Sequence, residues 1–411
     1  MSEFVYFKKM KKLKRKIEKG VEGVFFLSST STSIAVLLII LFIFGEGFKL
    51  FFEPPVEKGI EIVMSKSNPI KTLNPTQIRK LFDSEISNWK ELGGKDEDIV
   101  LVRIDDLESY FSSEELGENY ERVPQCITRL FEENTGMIGF FPENYLDKKS
   151  NIRILKLKNI EVNKFLTEKV WLPTAQPAAQ LGVLPLFLGT LWVSLGAILF
   201  ALPFGLAAAV YMAELAKPKV RNVLKPLIEL LSGIPSVVYG FFGLVVIVPM
   251  IQKTFQLPVG ETGLAGSIIL GIMALPTIIS ISEDAIRSTP KAMKEASLAL
   301  GASHWQTIYR VIVPYSISGI SAAVILGIGR AIGETMAVLM VTGNAGVIPH
   351  TLLEPLRTIP ATIAAELGES PQGGVHFHAL FALGAILFIM TMIINLSVEY
   401  IFGKSKFKKS Y

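Results

Sequence analysis

Arg330 and Glu334 lie four residues apart in an apolar stretch, about Ile317 to Gly343, that holds no other charge. Four residues is close to one helical turn, so on a continuous helix the two share a face. Gly329 and Gly333 beside them leave room for a neighbouring helix. An arginine at mid-membrane costs about 2.5 to 3.5 kcal/mol even on the lenient insertion scale, so something must compensate it. Two uses fit. One is an ion pair that holds helices together. The other is a pore-facing guanidinium, Arg330, that offers an oxyanion a transient counter-charge, with Glu334 moderating the affinity so that the anion can leave. Ser236 is a candidate hydroxyl contact on the same path, with Ser232 and Tyr239 nearby; packing by small residues is the competing reading. This is binding chemistry, and no catalytic constellation accompanies it. One cysteine and four histidines without a close Cys or carboxylate cluster leave no metal centre, disulfide framework or cofactor to expect.

The elements that must position these residues are membrane spans. The chain has 411 residues, of which 50% are hydrophobic and only 19% charged, too apolar for a soluble domain of this size. A spanning helix needs about 20 apolar residues to cross about 30 Å of hydrocarbon. Six stretches qualify: Gly23 to Gly45, the latter part of Val170 to Ala213, Leu230 to Gln252, Thr262 to Ser282, about Ile317 to Gly343, and roughly Phe377 to Val398. An even number puts both ends on one side. In the third stretch, Pro235 with Gly233 and Gly240 predicts an interrupted or bent helix, and interrupted helices in transporters line cavities.

Orientation follows from short-loop Lys and Arg. Lys8 to Lys19 at the front, Lys217 to Lys225 between spans two and three, Arg287 to Arg310 between spans four and five, and Lys404 to Lys409 at the end all fall on one side. Both termini are therefore expected in the cytoplasm. The first span has a long apolar run with no small-residue cleavage site after it, so it reads as an uncleaved anchor.

Between spans one and two, about Glu53 to Lys169, lies a polar segment of domain size that must be extracytoplasmic. Apolar pieces at Ile60 to Met64, Ile99 to Val102, Met137 to Phe141 and Ile152 to Leu157 read as strands. Pro75 to Phe82 and Cys126 to Glu133 read as helices. Acidic residues outnumber basic ones there, so its general field does not draw anions. The expected organisation is an anchor region (1–52), an α/β insert (53–175), a five-helix core (176–403) with a cytoplasmic loop at 283–314, and a tail (404–411).

That cytoplasmic loop carries Glu295-Ala296-Ser297, then Gly301, then Val311-Ile312-Val313-Pro314. A helix to Leu300, a glycine turn, a second amphipathic helix from His304 to Ile312 and a terminating proline describe a helix-turn-helix flat on the membrane surface, shaped to enter a groove on another protein. It resembles the EAA coupling motif of binding-protein-dependent ABC importer permeases, with Ser297 in place of the third-position alanine and Val311 in place of the usual isoleucine. The resemblance implies that Glu295, Ala296, Ser297, Gly301 and Pro314 dock on an ATPase. The sole Gly-Lys-Ser, Gly403 to Ser405, lacks the upstream glycine and strand of a P-loop, so ATP hydrolysis is expected on a separate subunit and the chain is not an enzyme.

Ser232 to Gly240, Gly329 to Val338, Gly343-Asn344 and Ala361 to Gly368 resemble the signatures of phosphate importer permeases, the PstC/PstA family, and are closer to the C-type. The resemblance covers about Leu181 to Ile401. It implies an all-α type I ABC importer permease fold with an inserted α/β domain. It also implies a paralogous permease partner, two ATP-binding subunits, a phosphate-binding protein and phosphate as cargo, with membrane lipid around the chain and no nucleic acid. Another oxyanion such as sulfate or molybdate, or a phosphate-sensing role, are the alternatives. The insert itself resembles one lobe of phosphate-type periplasmic binding proteins through Ser67 to Leu73, Ile86 to Gly94 and Gly136 to Phe140. Where that family has a Ser- and Gly-rich phosphate turn, this chain has Ile104-Asp105-Asp106-Leu107-Glu108-Ser109, whose acids repel an anion. A docking or gating role towards the binding protein is therefore expected of it, against a relic domain.

Overall fold

A computed structural model describes residues 2–56, 59–117, 119–147 and 152–407; Lys408 and Lys409 of the expected basic tail lie outside the described residues. Six helices among them are long and apolar enough to cross a membrane. The first, α1 (Ser2–Lys49), packs along the last and exposes Phe25, Phe26, Leu37 and Phe42, the face a lipid-bathed helix presents.

The insert that follows is mixed α/β. Strand β1 (Ile60–Ser65), helix α2 (Pro75–Phe82), strand β2 (Val100–Val102), helix α3 (Val123–Glu133), and strands β3 (Met137–Pro142) and β4 (Ile152–Ile154) lie close to where the apolar pieces predict them. The four strands form one sheet in the order β2-β3-β1-β4. Within it β1 runs antiparallel to both neighbours and β2 parallel to β3, with Met64 opposite Ile138 and Val102 opposite Gly139. Local signals explain the helices. Asn74 and Gln77 form a reciprocal capping box and Pro75 sits at the first helical position, where its missing N–H costs nothing. One face of the sheet buries Phe131 and Phe141 edge to face at 6.0 Å; the other buries Trp89, whose indole N–H donates to the Gly136 carbonyl at 2.9 Å. Burial of each of these rings contributes about 1.5 to 3 kcal/mol. The insert returns to the membrane through a short strand pair, β5 (Trp171–Leu172) and β6 (Gln180–Leu181).

The core then runs α4 (Leu184–Leu215), α5 (Pro218–Ser232), α6 (Ser236–Phe255), α7 (Gly263–Arg287), α8 (Lys291–Ala299), α9 (His304–Gly333), α10 (Met336–Val341), α11 (Ile359–Glu366) and α12 (Val375–Phe407). Helix α7 is the central post, capped by the Thr262 hydroxyl at its start and packed against α4 and α9.

Two predicted spans differ from the structure. The third begins at Ser236, not Leu230, because Leu230 to Ser232 finish α5, an amphipathic helix whose Val220, Val223, Leu227 and Leu230 are exposed. The fifth begins at His304 and ends at Gly333, not about Ile317 to Gly343. Its 30 residues measure about 45 Å, more than the hydrocarbon thickness, and its first turns include residues of the loop expected at 283–314. Pro314 therefore does not terminate a loop helix; it sits inside a continuous one. A π-helical turn at Ile308–Ile312, just before Val313-Pro314, loosens the ladder where proline can neither donate nor tolerate the usual carbonyl. The same arrangement recurs in α6, where a π-helical turn at Gly243–Ile247 precedes Val248-Pro249.

Candidate functional site

The candidate path residues Ser236, Arg330 and Glu334 lie where two helices break. Between α5 and α6 the chain turns at Gly233-Ile234-Pro235, with Pro235 extended (ψ 142°). Between α9 and α10 it turns at Glu334-Thr335, with Glu334 extended (ψ 135°). The two breaks adjoin, since Ile234 packs on the cluster that buries Tyr239, Ala331 and Ala337. Helices α6 and α10 also touch so closely that a Cβ on Gly240 would lie 3.0 Å from the Ala337 Cα. Gly240 is thus the residue that lets two half-helices meet backbone to backbone.

Arg330 occupies the last turn of α9, half-buried, and Glu334 lies beyond the helix end. The expected pairing of the two on one helical face does not occur: among the described residues no ion pair or hydrogen bond joins them. The reason is the chain turn at Glu334, which removes the i,i+4 geometry on which the pairing depends. Nor does a neighbouring helix of this chain press on Gly329 or Gly333, where added Cβ atoms would meet nothing within 4 Å. With no carboxylate of its own, Arg330 is left to water, an anion or a partner for compensation.

Three hydroxyls were candidates at the first break. Tyr239 donates to the Leu231 carbonyl at 2.8 Å and Ser232 to the Glu229 carbonyl at 2.7 Å, so both are used to satisfy the frayed end of α5. Ser236, in the first turn of α6, makes no hydrogen bond through its hydroxyl among the described residues, and its helix N-terminus carries a partial positive charge.

The coupling loop forms a hairpin. Gly301 (φ +83°) takes the left-handed turn after α8, and Ser303 with Gln306 forms a capping box at the start of α9. The Ser297 and Thr307 hydroxyls bond at 2.9 Å across the hairpin, so one of the two residues that depart from the motif ties its two arms. Lys294 reaches Glu214 at the end of α4 at 2.5 Å. Glu295 and Ala296 face solvent, and Leu300 is 89% exposed with Trp305 61% exposed. An apolar tip rimmed by polar residues marks a protein-docking surface.

Two clusters escape sequence reasoning. Glu283 is fully buried among Arg221 (2.7 Å), Lys225 (3.3 Å) and Arg287 (3.6 Å), which fastens α5 to α7. Burial lowers the Lys225 pKa, but hydrogen bonds to Asp284 and Glu283 outweigh it and hold the ammonium above its ordinary value. On the opposite side of the bundle Glu366 accepts from Trp171, Arg357 and His376. Burial alone would raise the Glu366 pKa, yet hydrogen bonds from His376 and Trp171 and the Arg357 charge bring it below the ordinary carboxylate value. His376 and His378 are buried; His378 lies between Glu46 (3.4 Å) and Glu53 (3.8 Å).

Residues 201–405 match the family described as "Binding-protein-dependent transport system inner membrane component". The chain is 42% identical over 243 residues to the probable ABC transporter permease protein YqgH of Bacillus subtilis, covering 59% of this chain and 78% of that one. To the phosphate transport system permease protein PstC of Mesorhizobium japonicum it is 38% identical over 255 residues, covering 57% and 77%. A solved chain from Clostridium perfringens, a putative phosphate ABC transporter substrate-binding protein with bound phosphate, is 32% identical over 26% of this chain and 49% of its own, with a TM-score of 0.19.

Proposed function

We infer the function from one premise: this chain belongs to the PstC family of binding-protein-dependent inner-membrane permeases. It is the membrane-spanning subunit of an ABC importer that moves inorganic phosphate across the inner membrane by alternating access. No bond is made or broken in the chain; ATP is hydrolysed on two separate subunits, a paralogous permease completes the pore, and a phosphate-binding protein delivers the cargo.

The observation that carries this reading is the solvent-facing hairpin of α8 and the start of α9, where Leu300 and Trp305 expose apolar surface beside Glu295 and Ala296. Such a knob is suited to insert into an ATPase groove from the cytoplasm, and the even number of spans together with the short-loop Lys and Arg supports both termini lying on that side. Force enters along α9, a continuous helix whose last turn holds Arg330 beside the two helix breaks. There the guanidinium, left without an internal acid, offers fixed N–H donors to a tetrahedral oxyanion. Ser236 supplies a hydroxyl and Glu334 limits the dwell time. The insert, residues 53–175, docks the binding protein and binds no phosphate itself.

Replacing Leu300 with cysteine and crosslinking in the assembled transporter tests the reading. Covalent capture of the ATPase subunit is the expected result; an L300C accessible only from outside the cell contradicts it.

A further inference from the structure

We propose that Glu366 is a positioning residue through which the extracytoplasmic insert sets the outer gate of the permease. The proposal rests on the importer reading above and deepens it. Its carboxylate gathers three donors from three separate elements. The Trp171 indole N–H, at the end of the insert, donates to Oε2 at 3.0 Å across 195 residues of chain. His376 Nε2, in the first turn of α12, lies 3.0 Å from the same oxygen, and Arg357 Nη1, just before α11, donates to Oε1 at 2.5 Å. The Glu366 side chain is 14% exposed, so these bonds act in a medium where they hold geometry strongly.

The end of the insert is no loose tether. Trp171 N–H donates to the Gly346 carbonyl at 2.9 Å, Val170 bridges Val347, and Gly346 has no space for a side chain beside the Trp171 carbonyl. Phe165, Trp171 and Leu181 are buried in one cluster with Leu186 of α4, Ile359 of α11 and Leu380 of α12. Helix α11 packs against α10, which starts two residues after Glu334. A displacement of the insert is therefore carried by the indole to Glu366, by α11 to α10, and so to the break beside Arg330. A binding protein seated on the insert gains leverage on the outer gate without touching it.

The test uses the complete assembly in nanodiscs, comparing ATPase rate with and without phosphate-loaded binding protein. Glu366→Gln removes the charge at constant shape, and Trp171→Phe removes only the indole donor while keeping a ring in place. In both variants basal ATPase stays within about twofold of wild type. Stimulation by the binding protein falls about fivefold or more, the lower end of ordinary allosteric coupling. The double variant is no worse than either single one. Stimulation equal to wild type in both variants overturns the proposal, as does a parallel loss of basal and stimulated rates, which marks a merely structural role. A wild-type assembly with no stimulation overturns the importer reading and this inference with it.

Discussion

The hydroxyl of Tyr239 donates to the carbonyl of Leu231 at 2.8 Å, across the turn that separates α5 from α6. A residue beyond the break thus caps the helix before it, so the break is a built feature with its own restoring bond. Tyr239→Phe removes that bond, leaving the carbonyl only backbone donors such as the Ile234 N–H at 3.3 Å, and costs about 0.5 to 1.5 kcal/mol. Chemical unfolding of the purified chain in detergent measures it, and an unchanged midpoint contradicts the assignment.

Among the described residues no acid pairs with Arg330, which leaves its charge without an internal counter-ion. Arg330→Gln should lower phosphate uptake roughly 10- to 150-fold, the equivalent of about 1.5 to 3 kcal/mol for a lost charged hydrogen bond, with normal amounts of inserted protein. Glu334→Gln, in contrast, should slow turnover while tightening apparent affinity, because the moderating charge is gone. Normal uptake by Arg330→Gln disposes of the pathway role.

The break at 233–235 was legible because Gly233 and Pro235 each disfavour a continuous helix. The end of α9 was not: the spacing of Arg330 and Glu334 reads as an ordinary helical pair, and nothing in Glu334-Thr335 forbids another turn. Packing of Ala337 onto Gly240 decides it, a contact made across about a hundred residues of chain. The strands of the insert were legible as short apolar, β-rich runs. Glu366 was visible only as part of a family-like stretch, since its donors Trp171 and His376 lie in other elements and no local spacing joins them.

Ser297 and Thr307 form a closed pair in the hairpin, which gives a double-substitution test. Ser297→Ala alone leaves the buried Thr307 hydroxyl unsatisfied, a cost of about 1 to 3 kcal/mol, and weakens co-purification with the ATPase. Ser297→Ala with Thr307→Val removes both partners and should recover most of the loss. Equal loss in single and double variants contradicts a role for the bond.

Glu366 also makes stability depend on pH. Its folded-state pKa lies below the ordinary value of 4.5, so its contribution is fully present above that value and is lost as pH falls through the folded pKa. The gap in melting temperature between wild type and Glu366→Gln should be constant near neutrality and close in strong acid. A gap that widens on acidification contradicts the sign.

The insert offers Asp105 and Glu108, both exposed, where a phosphate turn would need donors, and the Glu108 carboxylate already accepts from Tyr120 at 2.9 Å. Calorimetry of the purified chain without its binding protein should detect no micromolar phosphate binding. Saturable binding in that range, abolished by truncating the insert, contradicts the docking role.

The central claim is tested most directly by uptake of labelled phosphate into vesicles holding the complete assembly, with ATP supplied on the ATPase side and sulfate as competitor. The account predicts accumulation that requires ATP and this chain and resists a large excess of sulfate. Uptake that proceeds without ATP, or that sulfate suppresses as well as unlabelled phosphate does, contradicts it.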